Sequence, residues 1–300
     1  MQGDVVHTKN HIFQLRKEKE AELELLARPL RRFLNQNKFY PKIFYNENDI
    51  NHPELGIRQA IPNLDKYSGI FVVQDSPDTP INGFKGIEFR TSLEKSITAR
   101  NKQLLWTYQD LRHLPTLPPS EYDPKPSVQF VGTIVYLKDG NIFPQQRARL
   151  ISTTALATSG LLNQTHVLSQ QFVEGKFIEV NGTRLDQSDY FNMMTQHPYG
   201  LSVRGWGNWD YRFYELLASG RIPVHINTDD VLLFEEEIDY AEHIVLVDDL
   251  KKIKEAVETF HSQFTDDRSL RQHQESLVKL YNEYLCFPAF VSRFEKYYGV

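Results

Sequence analysis

Short apolar runs alternate with helical or turn segments through the second half of this 300-residue chain, and this pattern constrains its fold most. Strand-like runs occur between residues 128 and 247 and read VQFVGTIVYL, KFIEV, GLSV, IPVHI and HIVLV. The segment RARLISTTALA, which begins at Arg147, is typical of a helix. Strands that alternate with helices favour a parallel sheet. We therefore predict an α/β, Rossmann-like domain in this half.

The first half carries weaker signals of the same kind. Helical spacing of apolar residues over 7–37 predicts one or two amphipathic helices, and residues 88–114 predict another helix or two. The runs KIFY and GIFVV are typical of buried strands, and polar residues follow each of them. Open α/β sheets place their binding crevice at the carboxyl ends of strands, so we expect these polar residues near a ligand.

Residues 115–127, PTLPPSEYDPKPS, contain five prolines among several polar residues. This composition is typical of a linker between domains. We predict an N-terminal domain over residues 1–120 and a C-terminal domain over 121–282. The last helix, over about 283–300, is expected to pack back on the first domain.

Charge and cysteine content narrow the class of protein. A formal net charge of −5 and a pI near 6.1 argue against nucleic acid as the main partner. The single cysteine, Cys286, allows no intrachain disulfide, which suits a reducing compartment. No apolar run approaches the roughly 20 residues of a membrane helix. We expect no integral membrane segment and a cytoplasmic location, with a trimmed Golgi anchor as the alternative.

The stretch from Tyr199 to Val224 reads as a strand, a loop, a helix and a second strand. Asp210 is placed to cap the helix at its start and Gly220 to end it. The start of a helix favours an anion, because its first amide N–H groups are unpaired and carry partial positive charge. In the loop before it, Gly205 and Gly207 allow a bulky ligand to come close, and Arg204 adds a cation. This arrangement predicts a phosphate site.

Arg212 and Glu215 lie three residues apart in that helix, so they share nearly the same face. A guanidinium in the first turn can bind a diphosphate through two charge-assisted hydrogen bonds. A carboxylate one turn deeper suits the two hydroxyls of a ribose. The alternative is an exposed ion pair of little energetic value.

The stretch SVRGWGNWDYRFYELLASGRIPV resembles the signature of the exostosin-like glycosyltransferases. That signature consists of a small apolar strand, an R-G-x-G turn, a helix with arginine and glutamate, and G-x-I-P-V. The similarity continues downstream in DDVLLFEEEIDYAEHIVLV, where Leu233 and Tyr240 replace the family's usual proline and tryptophan. Upstream it includes VQFVG and QQRARLI, so that it covers about residues 127–262.

The resemblance implies a GT-B fold, in which two Rossmann-like domains face a central cleft. It also implies an inverting glycosyltransferase with a nucleotide-diphosphate sugar, usually a UDP-sugar, as donor and an oligosaccharide or other glycan as acceptor. Carried over by position, Arg147, Arg204 and Arg212 hold the diphosphate and Glu215 holds the ribose.

Charge develops on the diphosphate as the sugar leaves, and either a metal ion or cationic side chains must meet it. Metal-dependent transfer usually shows an Asp-x-Asp pair, and the chain contains none. We interpret the adjacent pairs Asp229–Asp230 and Asp248–Asp249 as caps or solvated loops. We therefore expect no metal site and no cofactor besides the donor, with arginines stabilising the leaving group.

Inversion needs a general base that faces the diphosphate from the opposite side of the sugar, so we expect it in the first domain. Asp75 is the leading candidate because it follows the clearest N-terminal strand. The other candidates are Glu47, Asp49 and Asp78, with His52 and His113 after them. Each carboxylate also fits a structural role as a turn cap.

Two other functions remain open at this stage. A non-catalytic protein that binds nucleotide sugars or glycans would keep the arginines without the base. A Rossmann oxidoreductase is a third reading, although RGWGNWD lacks the third glycine of the dinucleotide fingerprint. The sequence does not distinguish xylose, galactose, glucuronate or another sugar as the group transferred.

Overall fold

The computed structural model is a mixed α/β protein with two mostly parallel sheets. It describes residues 42–44, 70–73, 87–90, 93–95, 103–105, 120–137, 139–142, 146–173, 176–194, 196–205, 207–208, 210–286, 289 and 293. The fold class predicted from the alternation of strands and helices is therefore confirmed at the level of an α/β architecture.

Four short parallel strands in chain order form the first sheet. They are β1 (Lys42–Phe44), β2 (Ile70–Val73), β3 (Ile87–Arg90) and β4 (Gln103–Leu105). The runs KIFY and GIFVV become β1 and β2 as predicted. The helix predicted from residue 88 onward is wrong where β3 and β4 lie, because β3 pairs with β2 and β4 pairs with β3, which fixes those residues in extended conformation.

The second sheet contains β5 (Val128–Leu137), β6 (Leu162–Val173), β7 (Lys176–Asn181), β8 (Tyr199–Ser202), β9 (Ile222–Ile226) and β10 (Val245–Val247). Its order is β10-β9-β8-β5-β6-β7, and only β7 is antiparallel to its neighbour. The five parallel strands follow the order 2-1-3-4-5, one of the two common doubly wound arrangements. The chain reverses its direction of winding between β5 and β8, and such a point is where open sheets bind ligands.

Five helices accompany this sheet in the described part of the chain. They are α1 (Arg147–Ser159), α2 (Gln187–Met194), α3 (Tyr211–Ala218), α4 (Ile253–His261) and α5 (Asp267–Leu280), the last continuing as a π-helical turn over Tyr281–Leu285. The predicted strand over VQFVGTIVYL and the predicted helix from Arg147 are both confirmed. Strand β6 and helix α2 have no counterpart in the sequence-based prediction.

Helix α3 has the cap residues that its sequence predicts. Asp210 accepts a hydrogen bond from the backbone N–H of Arg212, and Gly220 takes a φ of 70° directly after the C-cap. A Cβ on Gly200 of β8 would overlap Leu216 of α3, so glycine lets the helix pack closely on the sheet. This packing fixes the first turn of α3 beside the carboxyl end of β8.

One hydrophobic core joins this sheet to its helices. Val128, Leu201 and Val224 from the strands are fully buried, as are Leu217 of α3 and Leu277 of α5. The described end of the predicted linker packs on this body. The Asp123 carbonyl accepts a hydrogen bond from His261 at 2.8 Å, and the Tyr122 ring stacks on the same imidazole.

Candidate functional site

A cleft of about 610 Å³ lies where the sheet reverses its winding. Residues of β5 and β6, the segment 183–186 and side chains from α1, α2 and α3 line it. Clefts of this size hold small ligands, and this one stands at the position that doubly wound sheets use for binding.

Arg212 is the central cation of this cleft. Its side chain comes from the first turn of α3, and the residue is only 6% exposed. Among the described residues, its Nε and Nη1 atoms have no hydrogen-bond partner. Burial lowers the pKa of Arg212, but Tyr190 and the carboxylates of Asp210 and Glu215 outweigh burial and raise it overall. The guanidinium is therefore charged, and two of its buried nitrogen atoms have donors that no described residue accepts.

Residues of strand β5 pack against the Arg212 guanidinium. The Arg212 Cζ atom lies 4.9 Å from the centre of the Phe130 ring, and a Cβ on Gly132 would lie 2.7 Å from Arg212 Nη2. Glycine at 132 thus leaves the space that the guanidinium occupies. Stacking on an aromatic ring contributes roughly 1–2 kcal/mol, whereas burying a cation costs several kcal/mol. The ring alone does not offset this cost, and Tyr190, Asp210 and Glu215 provide the rest of the stabilisation.

Arg149 of α1 brings a second buried cation to the cleft. It donates hydrogen bonds to the carbonyls of Thr133 at 2.9 Å and Val203 at 3.3 Å, and it approaches the Asp210 carboxylate to 3.8 Å. Burial lowers the pKa of Arg149 to about 10, so the guanidinium stays charged at neutral pH. Arg149 neutralises Asp210 and orders the loop after β8.

The Asp210 carboxylate reduces the ability of the start of α3 to bind an anion. Asp210 accepts hydrogen bonds from the backbone N–H groups of Arg212 and Val203. Its carboxylate therefore occupies part of the amide donor site that the sequence suggested for phosphate. The guanidinium of Arg212, rather than the helix terminus, provides the donors that are left for a ligand.

Glu215 lies one turn further along α3 and also lines the cleft. The Tyr190 hydroxyl of α2 donates a hydrogen bond of 2.6 Å to Glu215 Oε2. Burial raises the pKa of Glu215, and the Tyr190 hydrogen bond and the charge of Arg212 oppose part of that rise. Burial also raises the pKa of Tyr190, so its hydroxyl remains a donor. Arg212 and Glu215 thus share one cleft, and the alternative of an exposed ion pair is wrong.

The other donor-site residues taken from the resemblance lie elsewhere. Arg147 is exposed at the start of α1 and does not line the cleft. Arg204 forms a partly buried ion pair with Glu94 at 3.6 Å, and neither Gly205 nor Gly207 lines the cleft. Their proposed contacts with diphosphate stay predictions.

The helical periodicity of α1 indicates that Arg149, rather than Arg147, is the buried arginine. This residue is in phase with Ser152 and Leu156, the other buried positions of α1. Arg147, by contrast, is in phase with the exposed residues Ile151 and Thr154. Tyr190 carried no comparable signal, since only the folded chain brings α2 against α3.

The four candidate bases, Asp75, Glu47, Asp49 and Asp78, lie outside the described residues, as do His52 and His113. Their assignment stays a prediction.

The adjacent aspartate pairs were predicted to be caps or solvated loops. Asp249 is such a cap, because it accepts a hydrogen bond from the backbone N–H of Lys251. Asp248 accepts a hydrogen bond from the side chain of Asn227. Asp230 differs from that expectation, because it is buried and 3.0 Å from His225 Nε2.

A second cleft of about 630 Å³ lies at the carboxyl ends of β9 and β10. It is mostly acidic, and its carboxylates come from Asp230, Glu235, Glu236, Glu237, Asp239 and Asp248. Such a wall repels a diphosphate, so the first cleft is the better candidate for the predicted phosphate site. Leu233 and Tyr240, the departures from the exostosin-like pattern, are buried and joined by a hydrogen bond from the Tyr240 hydroxyl to the Leu233 carbonyl at 2.8 Å.

The described residues contain neither a metal-binding cluster nor a helix that could span a membrane. No group of three or more His, Cys, Asp or Glu side chains there is arranged to hold a metal ion. None of the helices in the same part of the chain is long and apolar enough to cross a bilayer.

Family models and curated proteins do not identify the chain. No protein-family model matches the chain, and no curated protein matches it at a significant level. A functional assignment therefore depends on the residues of the cleft and on the resemblance of their pattern.

Proposed function

We propose that this chain is an inverting glycosyltransferase that takes a sugar from a nucleotide-diphosphate donor, most simply a UDP-sugar, and transfers it to a glycan. The observation that carries the proposal is the buried Arg212 guanidinium, whose Nε and Nη1 atoms have no partner among the described residues and which lines the cleft. The order of residues along α3 supports it, since Glu215 follows one turn deeper.

The proposed reaction is a single displacement. An acceptor hydroxyl attacks the anomeric carbon, a base takes its proton, and the bond from that carbon to the diphosphate oxygen breaks with its electrons going to the diphosphate. Arg212 meets the negative charge that grows on the leaving group, and Arg149 adds positive charge beside it. Donors placed for charge that appears only in the transition state lower the barrier directly.

Glu215 is proposed to accept hydrogen bonds from the ribose hydroxyls of the donor. Its carboxylate lines the same cleft as Arg212, and Tyr190 already holds one of its oxygens. The mechanism needs no metal ion, because the cations that meet the leaving group are side chains.

The proposal includes the GT-B arrangement implied by the exostosin-like pattern. In it, residues 121–282 bind the donor and residues 1–120 bind the acceptor and supply the base, with Asp75 as first candidate and Glu47, Asp49 and Asp78 as others. The parallel strands found in both halves of the chain are compatible with such an arrangement.

Release of UDP from a panel of UDP-sugars tests the proposal. We expect at least one UDP-sugar to be turned over, with a rate unchanged by EDTA. Arg212→Ala should lower that rate roughly 100- to 1000-fold, the usual effect of removing one transition-state donor. Arg271→Ala, at an exposed arginine of α5 that does not line the cleft, is the control and should keep the rate.

Other results would replace the proposal. UDP binding without turnover of any UDP-sugar in the presence of glycan acceptors would indicate a non-catalytic binding protein. Binding of NAD but not of UDP would indicate an oxidoreductase. Loss of turnover with EDTA would rule out the metal-independent mechanism.

A further inference from the structure

One part of the cleft lining differs in character from Arg212 and Glu215. It consists of residues of β6 and of the segment 183–186. At every second position of β6 a side chain lines the cleft, namely His166, Leu168 and Gln170. Alternate residues of a strand point to one face, so these three form a stripe that is polar at both ends and apolar in the middle.

The segment 183–186 lines the cleft together with this stripe and is hydrogen-bonded to β6. His166 Nε2 donates a hydrogen bond of 2.7 Å to the Thr183 carbonyl, and Gly182, with a φ of 87°, lets the backbone turn close to Val167. Leu185 of this segment is half-buried and lines the cleft, as does Leu168 of β6. Two leucines and a nearby amide form the kind of surface that a flat, partly polar ring requires.

We propose that β6 and the segment 183–186 form a nucleobase subsite, with Leu168 and Leu185 contacting the ring and Gln170 reading its edge. This inference rests on the proposed function, because it assigns the base end of the nucleotide whose diphosphate Arg212 holds. The Gln170 amide offers donors and an acceptor side by side, which is what the neighbouring N–H and C=O groups of a base such as uracil require.

Continuity of the cleft supports this occupant. A single cavity is lined by Gln170 and Leu185 as well as by Glu215 and Arg212, so one nucleotide can contact all four. The two leucines offer a ring apolar contacts that an anion does not require. Arg184, which also lines the cleft, is paired with Glu179 at 3.0 Å and lies mostly in solvent.

Calorimetry with two probes, UDP and inorganic pyrophosphate, separates the base subsite from the phosphate site. The wild-type protein should bind UDP more tightly than pyrophosphate. Gln170→Ala should weaken UDP binding about tenfold, the loss of one or two hydrogen bonds, and leave pyrophosphate binding unchanged. Leu185→Ala should do the same, and because Leu185 is only half-buried this variant is expected to fold.

Gln171 provides a matched control on the same strand. It neighbours Gln170, donates a hydrogen bond to the Leu137 carbonyl at 3.2 Å and does not line the cleft. Gln171→Ala should leave the affinities for both probes unchanged.

The experiment distinguishes an error in the nucleobase subsite from an error in the phosphate site. Pyrophosphate affinity that depends on Arg212, together with UDP affinity unaffected by Gln170→Ala and Leu185→Ala, would overturn the base subsite alone. Pyrophosphate and UDP affinities that are both unaffected by Arg212→Ala would overturn the phosphate site and the proposed function with it.

Discussion

At the scale of single residues, three side chains from two helices act as one unit. Tyr190 donates a hydrogen bond to Glu215 and raises the pKa of Arg212, so the phenol links the proposed ribose carboxylate to the proposed diphosphate cation. Burial makes each of the three sensitive to its neighbours, because interactions between charges strengthen away from water. Changing one of them should therefore alter the titration of another.

The pH dependence of UDP binding tests this coupling. Glu215 accepts ribose hydroxyls best when ionised, and burial raises its pKa above the ordinary 4.5. UDP affinity should therefore fall as the pH drops through this raised pKa. Tyr190→Phe removes a hydrogen bond that lowers the Glu215 pKa, so the midpoint should move to higher pH. Glu215→Gln should bind about tenfold more weakly at pH 8, without this transition.

Calorimetric titrations of the three proteins between pH 5 and pH 8 would measure the effect. A wild-type profile that is flat, or one that Glu215→Gln leaves unchanged, would show that Glu215 does not contact the nucleotide.

At the scale of elements, the close contact between β5 and α3 sets the position of the cation. Phe130 and Gly132 lie on β5, and Arg212 reaches them from the first turn of α3. The cap at Asp210 and the tight packing at Gly200 fix where that turn stands. The site therefore depends on the register of a helix against a strand as well as on the identity of its side chains.

Gly132→Ala tests this contact. The new methyl group would lie 2.7 Å from Arg212 Nη2 and 3.0 Å from Phe130 Cζ. The guanidinium can move aside, so we expect a small change in stability but at least about tenfold weaker UDP binding, the loss of one charge-assisted hydrogen bond or more. Thermal denaturation and calorimetry of the variant measure the two effects.

Gly140→Ala should lower the stability of the protein without changing its affinity for UDP. Gly140 has a φ of 83° and open space around it, so alanine there costs stability but leaves the cleft intact. Unchanged UDP affinity in Gly132→Ala would contradict the position assigned to Arg212.

Sequence reasoning succeeded where the signal is local. The mainly apolar run of β5 and the Asp210 and Gly220 boundaries of α3 depend on neighbouring residues alone, and both predictions are confirmed. Strand β6 escapes prediction because two runs of polar residues, NQTH and SQQ, leave it neither an apolar run nor a strict alternation. The Tyr190 contact was missed for another reason, since it joins residues 25 positions apart that only the fold brings together.

At the scale of the whole molecule, the segment 93–95 joins the body formed by residues 120–286. Leu93 is 4% exposed in that core, and Glu94 forms a β-bridge with Asp230. The Lys95 backbone N–H donates to the Asp229 carbonyl at 2.8 Å. Residues that precede the predicted linker thus contribute to the body that carries the cleft. A domain boundary placed at residue 120 because of the prolines does not predict this contribution.

Leu93→Ala measures how strongly this segment belongs to that body. Removing a buried leucine side chain typically costs about 2–5 kcal/mol of unfolding free energy, and we expect a loss in this range by urea denaturation. Ile151→Ala, at a residue 46% exposed on α1, is the control and should change the unfolding free energy by roughly 0.5 kcal/mol or less. Equal stabilities of the two variants would mean that the segment 93–95 is not part of the cooperative unit.

A crystal structure of the protein with UDP tests most directly whether Arg212 holds a diphosphate. We predict that oxygen atoms of the diphosphate lie within hydrogen-bond distance, about 3 Å, of Arg212 Nε and Nη1, with the ribose hydroxyls at Glu215. A diphosphate bound elsewhere on the protein, with Arg212 contacting only solvent or protein atoms, would contradict the proposed donor site.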